Sequence, residues 1–169
     1  TKTQERVFNS YYSGKKIMCH GVAGTGKTFI ATYLATQEVL SNYNDTRSLH
    51  IIRSVVPTRD MGFLPGNQRE KSKVYEAPYY AIFSELFERG DAYEILKGRE
   101  QVYFTTTSFI RGLTINDAVV IVDECQNMTY HELDSIITRL GDNCKIVFCG
   151  DFRQSDFRFQ DERDGVIEF

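Results

Sequence analysis

The sequence predicts an α/β domain, a three-layer sandwich built on a mostly parallel sheet. Three observations carry that reading. Short apolar runs alternate with stretches of helical periodicity along the chain. One run, Ala118–Val122, is apolar at every position, as expected of a central parallel strand covered on both faces. A glycine-rich stretch, Gly21–Thr28, stands between the first strand-like run and a helical one, the kind of join from which βαβ units are made.

Taken in order, Lys16–His20 reads as a short buried strand. Lys27–Leu40 reads as a helix, with Phe29, Ile30, Tyr33, Leu34 and Val39 at roughly helical spacing. Leu49–Val56, rich in Ile and Val, is the next strand. Arg59–Lys73 reads as a long loop containing Gly62, Pro65 and Gly66. Ala77–Glu88 carries Ile82, Phe83, Leu86 and Phe87 on a helical face that Gly90 would end. Gln101–Thr106 is β-prone, and Ala118–Val122 is the central strand. Thr129–Leu140 reads as a helix opened by a capping box of Thr129 and Glu132 and stopped by Gly141. Lys145–Cys149 is a last buried strand.

Length and composition bound the rest. A chain of 169 residues fits one domain spanning 1–169. Hydrophobic residues at 41% supply enough apolar surface to offset chain entropy, which excludes disorder as the main state. With 20 basic against 23 acidic residues the net charge is -3, which excludes a generally basic nucleic-acid coat but not a local patch. No apolar run approaches the roughly 18 residues of a membrane helix, and the polar start, Thr1–Ser10, has no signal-peptide core. Cys19, Cys125, Cys144 and Cys149 lack the paired spacing of a zinc site and read as free thiols, hence an expected cytoplasmic location.

Gly21-Val22-Ala23-Gly24-Thr25-Gly26-Lys27-Thr28 matches GxxxxGK[ST], the Walker A pattern, in its proper strand-to-helix context. Glycines let the backbone curl until successive N–H groups point at phosphate oxygens, and the helix N-terminus adds partial positive charge. Lys27 would bridge the β- and γ-phosphates of ATP, Thr28 would ligate Mg²⁺, and Phe29 follows on the same turn. Val119-Val120-Ile121-Val122-Asp123-Glu124 is an apolar strand ending in two acids. Asp123 would hold Mg²⁺ through water and Glu124 would polarise the attacking water. A hydrolase needs that second acid, whereas a small-molecule kinase usually does not. Gln126 and Asn127 extend the run. The strand ending at Cys149 would lie between the Walker A strand and the acid-tipped strand ending at Asp123 and Glu124, a Walker B pattern, and deliver Gln154 toward the γ-phosphate.

Together these stretches resemble the PhoH family of P-loop ATPases, itself similar to the first RecA-like core of superfamily-one helicases. The resemblance rests on Gly21–Thr28, on Arg53–Gly66 ending in Gly-Phe-Leu-Pro-Gly, on Ser108–Thr114 with Phe109, Arg111 and Gly112, and on Asp123–Asn127. Thr138–Gly141 and Gly150–Gln154 extend it. It departs at Cys125, where many relatives carry Ala, and at Ser54 and Val55. It also implies a further strand and helix after Phe169. The family reading implies a RecA-like P-loop NTPase core with Mg²⁺-dependent ATP hydrolysis coupled to single-stranded RNA or DNA, and a glutamine, Gln4, on adenine.

Arg53–Lys73 holds five basic residues against two acidic ones, and Arg53, Arg59, Lys71 and Arg111 are the implied nucleic-acid contacts. Ser108 and Thr105–Thr107 are candidate phosphate donors, and Tyr75, Tyr79 and Tyr80 candidate stacking platforms. Because the chain has one such core, the resemblance implies a ring, most simply a hexamer, in which an arginine completes the neighbour's site. Arg139 is the first candidate, ahead of Arg153 and Arg158. Two alternatives stay open on the residues alone: a thymidine-kinase-type nucleoside kinase, and a non-hydrolysing nucleotide switch.

Overall fold

The computed structural model describes residues 1–41, 44–54 and 68–151, and for 68–72 the backbone alone. In chain order the elements are α1 (Lys2–Tyr12), β1 (Ile17–His20), α2 (Lys27–Val39), β2 (Ser48–Arg53), α3 (Gln68–Phe87), α4 (Ala92–Gly98), β3 (Val102–Thr106), β4 (Ala118–Asp123), α5 (Tyr130–Ile137) and β5 (Lys145–Gly150). Among the described residues, five strands form one sheet in the order β1-β5-β4-β2-β3, parallel at every pairing. β5 therefore lies between β1 and β4, as expected from the sequence. Parallel strands place all their carboxyl ends on one edge, where loops gather into a site.

The central strands β2, β4 and β5 alternate between two apolar layers, and β1 contributes to one. On one face Ile17, Cys19, Leu49, Ile51, Val119, Ile121, Val147 and Cys149 pack against Tyr11 of α1, Leu34 and Ala35 of α2, Tyr79 and Phe83 of α3, and Tyr93 and Leu96 of α4. On the other, Ile52, Val120, Val122, Ile146 and Phe148 pack against Leu133 and Ile136 of α5, with Ile110 and Met128. β4 is buried along its whole length, which accounts for its lack of polar residues before Asp123.

The helices depart from the sequence expectation in definite ways. The polar N-terminus is a helix, α1. A capping box between Thr1 and Gln4 opens it, and Tyr11, almost wholly buried, docks it. Lys145 Nζ sits 4.3 Å from the Tyr11 ring centre and 2.7 Å from Glu38, tying α1, α2 and β5 together. α3 begins at Gln68, so the end of the expected Arg59–Lys73 loop is helical, and the helix runs through Pro78. A proline there removes one backbone hydrogen bond. Burial of Tyr75, Tyr79 and Phe83, spaced four apart on one face, overrides that cost. α3 stops at Phe87, where Glu88 rather than Gly90 takes a positive φ of 52°. α4 has no counterpart among the expected elements. α5 ends at Ile137, with Thr138 as its C-cap, short of the expected Leu140. Gly141 instead lies alongside the strand entrance: its N–H donates to Ile115 O at 2.7 Å, and Asn116 fills the space a side chain would need.

Candidate functional site

The phosphate-loop segment joins the carboxyl end of β1 to α2. Its turn depends on Gly24 and Gly26, at φ 76° and 79°, values that favour glycine. Gly26 is also the N-cap of α2 and offers no side-chain cap, so the first-turn amides of the helix are open to an external acceptor. Lys27 Nζ donates to Gly21 O at 2.7 Å and Val22 O at 2.8 Å. The lysine thus folds back across the mouth of the loop, with its ammonium where an anion would lie.

The second motif meets the first directly. Thr28 Oγ1 donates to Asp123 Oδ1 at 2.7 Å, bridging two residues 95 positions apart. The other carboxylate oxygen, Oδ2, accepts from Tyr79 of α3, also at 2.7 Å. Asp123 is only 4% exposed, so both contacts matter: an ionised carboxylate away from water needs partners. Burial first, and then the Asp123 charge, hold the Tyr79 phenol well above its usual range, so it remains a donor. The Thr28 hydroxyl and Asp123 form a hard oxygen pair beside a phosphate loop, a donor set that fits Mg²⁺.

Glu124 takes a left-handed backbone conformation, φ 53°, at the start of a 3₁₀ turn over Cys125–Asn127. Such a backbone costs roughly 1–2 kcal/mol in a residue with a side chain. Its carboxylate is held by Gln126, whose Nε2 donates to Glu124 Oε2 at 2.5 Å. Gln126 is itself buried, and its Oε1 accepts from Asp151 N at 3.0 Å, just beyond β5. Gly150 leaves the room for this: a Cβ there would stand 2.7 Å from both Gln126 Oε1 and Cys125 Sγ.

A cavity of about 800 Å³ opens beside the loop, lined in part by Gln4, Val7, Met18, His20, Val22 and Lys27. Gln4 lies at this mouth, and its side chain serves the α1 capping box, accepting from the Thr1 amine at 2.8 Å. Ala23 and Thr25 lie on the exposed turn, with Thr25 Oγ1 donating to Val22 O at 2.9 Å. Phe29 is half-buried on the first turn of α2.

The carboxyl edge also carries Arg53, half-buried at the end of β2, and Arg111, exposed beyond a 3₁₀ turn over Thr107–Phe109. Tyr79 is fully buried and Tyr75 nearly so, which overturns both as stacking platforms. Tyr80 is half-buried and donates to Glu94. Among the described residues of this edge, Phe109 is an exposed aromatic, 51% accessible. Thr106 is buried, and Thr107 donates to Glu132 Oε1 at 2.5 Å, so neither hydroxyl is presented to a phosphate. Glu132 also accepts from Ser54, and in this way the capping glutamate of α5 pins the ends of β2 and β3. Arg139 lies beside the entrance to β4, at the opposite end of the sheet from the phosphate loop; its backbone carbonyl accepts from Ile115 N at 2.9 Å. Arg59, Gln154, Arg153 and Arg158, and the side chain of Lys71, lie outside the described residues.

An all-parallel α/β sheet, a glycine loop opening a helix, and a Thr–Asp pair linking that loop to the central strand define a P-loop nucleotide-binding domain. The family model described as "PhoH-like protein" matches residues 1–169, and the chain belongs to that family. It is 37% identical over 155 residues to Protein PhoH2 of Bacillus subtilis, covering 88% of this chain and 34% of that protein. It is 31% identical to Protein PhoH of Escherichia coli K12, covering 99% of this chain and 51% of that one. The chain thus spans between a third and a half of these relatives. Among solved structures, the large terminase of a thermophilic bacteriophage in complex with ADP superposes with a TM-score of 0.51 at 14% identity, over 89% of this chain and 38% of the terminase. At that identity the likeness concerns the fold.

Proposed function

We propose that this domain binds ATP with Mg²⁺ and hydrolyses it, coupling the reaction to single-stranded RNA or DNA in the cytoplasm. The observation that carries the reading is the 2.7 Å contact of Thr28 with Asp123, with Glu124 next in the chain. It assembles a phosphate loop, a metal-holding pair and a general base at the end of one sheet.

Mg²⁺ would neutralise charge on the phosphate oxygens and orient them. Thr28 and Asp123 would hold it, and the loop amides from Gly21 to Gly26 would receive the phosphates. Lys27 exchanges its two carbonyl acceptors for phosphate oxygens. Glu124, fixed through Gln126, takes the proton of the attacking water. Gln4 lies at the mouth of the cavity where a base would sit.

For the polymer, Arg53 and Arg111 offer charge at the carboxyl edge, and Phe109 offers a ring for base stacking in place of the buried tyrosines. Ring assembly with Arg139 in the neighbour's site is part of the proposal. Because Arg139 stands away from its own phosphate loop, any catalytic use of it lies in another subunit.

The test is ATP binding and turnover with and without single-stranded RNA and DNA. Lys27→Ala should weaken binding and abolish turnover. Glu124→Gln should bind ATP normally and lose about 10²–10⁴ in rate, the usual contribution of a general base. Arg111→Ala should keep basal turnover and lose stimulation by the polymer. Wild-type turnover in Lys27→Ala, or loss of binding in Glu124→Gln, would overturn the assignment.

A further inference from the structure

Asp123 is held from two sides, and only one of them belongs to a recognised motif. Thr28 donates to Oδ1; Tyr79, on α3, donates to Oδ2, both at 2.7 Å. Tyr79 is fully buried, and its ring is packed against Phe104 at 5.5 Å between centres. The hydroxyl direction is therefore set by the core rather than by solvent. Arg53, the register partner of Asp123 across β2 and β4, lies over the Tyr75 ring one turn earlier on the same helix, 6.0 Å from its centre. A carboxylate at the end of a strand can rotate about its last two bonds. Here one oxygen is anchored by a rigid aromatic donor, and the other is left facing the threonine of the phosphate loop.

We infer that Tyr79 is the positioning residue of the metal-holding carboxylate: by fixing Asp123 Oδ2 it presents Oδ1, with Thr28, as an oriented pair to a divalent cation. The inference rests on the Mg²⁺–ATP reading above and extends it to a residue outside every motif. A donor that holds a metal ligand in place raises the affinity of the site, because less reorganisation accompanies binding.

Tyr79→Phe in the full chain removes one oxygen and keeps the ring. Manganese, a paramagnetic stand-in, can be titrated by electron paramagnetic resonance in the presence of ADP. ADP affinity measured in chelator serves as the metal-free control. The variant should hold manganese about 10- to 100-fold more weakly, the range seen when outer partners of metal ligands are removed. Its metal-free ADP affinity should stay within about twofold of wild type, a split that a merely structural loss would not produce. Two further replacements guard against misfolding. 4-Fluorophenylalanine at position 79 keeps the tyrosine shape without a donor and should behave as Tyr79→Phe. 4-Aminophenylalanine restores a donor and should recover metal affinity. Equal manganese affinity in wild type and a folded donor-free variant overturns the role of Tyr79 alone. Absence of nucleotide-dependent manganese binding in wild type overturns the parent reading as well.

Discussion

Replacing Gln126 separates two jobs that one side chain performs. Its Oε1 is the acceptor for the buried Asp151 N–H at 3.0 Å, and its Nε2 holds Glu124 Oε2 at 2.5 Å. In Gln126→Ala the Asp151 amide, in a residue only 4% exposed, loses that acceptor. An unmet buried amide costs about 1–3 kcal/mol. At a urea slope of about 1–3 kcal/mol per molar, the unfolding midpoint should fall by about 1 M. Glu124 keeps its left-handed backbone but loses the donor that orients its carboxylate. Single-turnover hydrolysis should therefore drop by about 10- to 100-fold, less than for removing the base outright.

Gln126→Glu distinguishes the two contributions. One oxygen can still accept from Asp151, but a second carboxylate now faces Glu124. At about 4 Å and a near-surface dielectric of about 20, two like charges repel by about 4 kcal/mol, so the pair holds a proton in the folded state. A carboxylate whose folded pKa is raised binds more protons folded than unfolded, so this variant should lose stability as pH rises from about 5 to 7. Urea unfolding followed by circular dichroism at both pH values reads the first effect, and quenched-flow hydrolysis the second. Wild-type stability and turnover in Gln126→Ala would refute the reasoning, because both hydrogen bonds would then be dispensable.

The remaining expectations concern His50 and Arg139. Burial pushes the His50 imidazole down to about 4; Ser48 lies 3.1 Å from its Nε2, and the Tyr103 ring stacks on it at 4.7 Å. Between its ordinary value near 6.5 and 4, the unfolded chain takes up a proton that the folded chain refuses. This stability is full above about pH 6.5 and is lost as pH falls toward 4, about 3 kcal/mol in all. The difference between wild type and His50→Gln in urea should shrink accordingly, and parallel pH profiles would contradict it. Mixing inactive Lys27→Ala subunits with inactive Arg139→Ala subunits should restore part of the turnover, because some interfaces then combine an intact loop with an intact arginine. No recovery, or a monomer by light scattering with ATP present, would rule out the shared site.

The phosphate loop and the acidic strand end are legible in the sequence because each is contiguous: spacing alone encodes the geometry of Gly21–Thr28, and an apolar run ending in acids encodes β4. The contacts that are not legible join residues brought together only by strand order. Nothing near Tyr79 in the chain indicates that its hydroxyl ends at Asp123, 44 residues on; a tyrosine on a basic stretch looks equally like a platform for bases. Glu132 is readable as a capping residue, but not as the acceptor for Thr107 and Ser54, which depends on α5 lying over the ends of β2 and β3. The helices differ from expectation where one stabilising force hides another. α1 is polar except for the few side chains that dock it, and α3 runs through Pro78 because its tyrosine and phenylalanine face is buried.

Adjacent in sequence, Asp123 and Glu124 are held by different parts of the molecule. Asp123 lies on the face covered by α2 and α3 and takes its partners, Thr28 and Tyr79, from those helices. Glu124 turns away through its left-handed backbone and is reached from the end of β5 by way of Gln126. Strand alternation already points neighbouring residues to opposite faces, and the left-handed φ of Glu124 ends the strand and begins the turn that brings Gln126 to its carboxylate. A displacement of α3 would thus reach the proposed metal pair, Thr28 and Asp123, first, whereas a displacement of the β5 tip would reach the proposed base, Glu124. In a P-loop site these are separate requirements: an oriented oxygen pair to hold the metal, and an unmetallated carboxylate to take a proton from water.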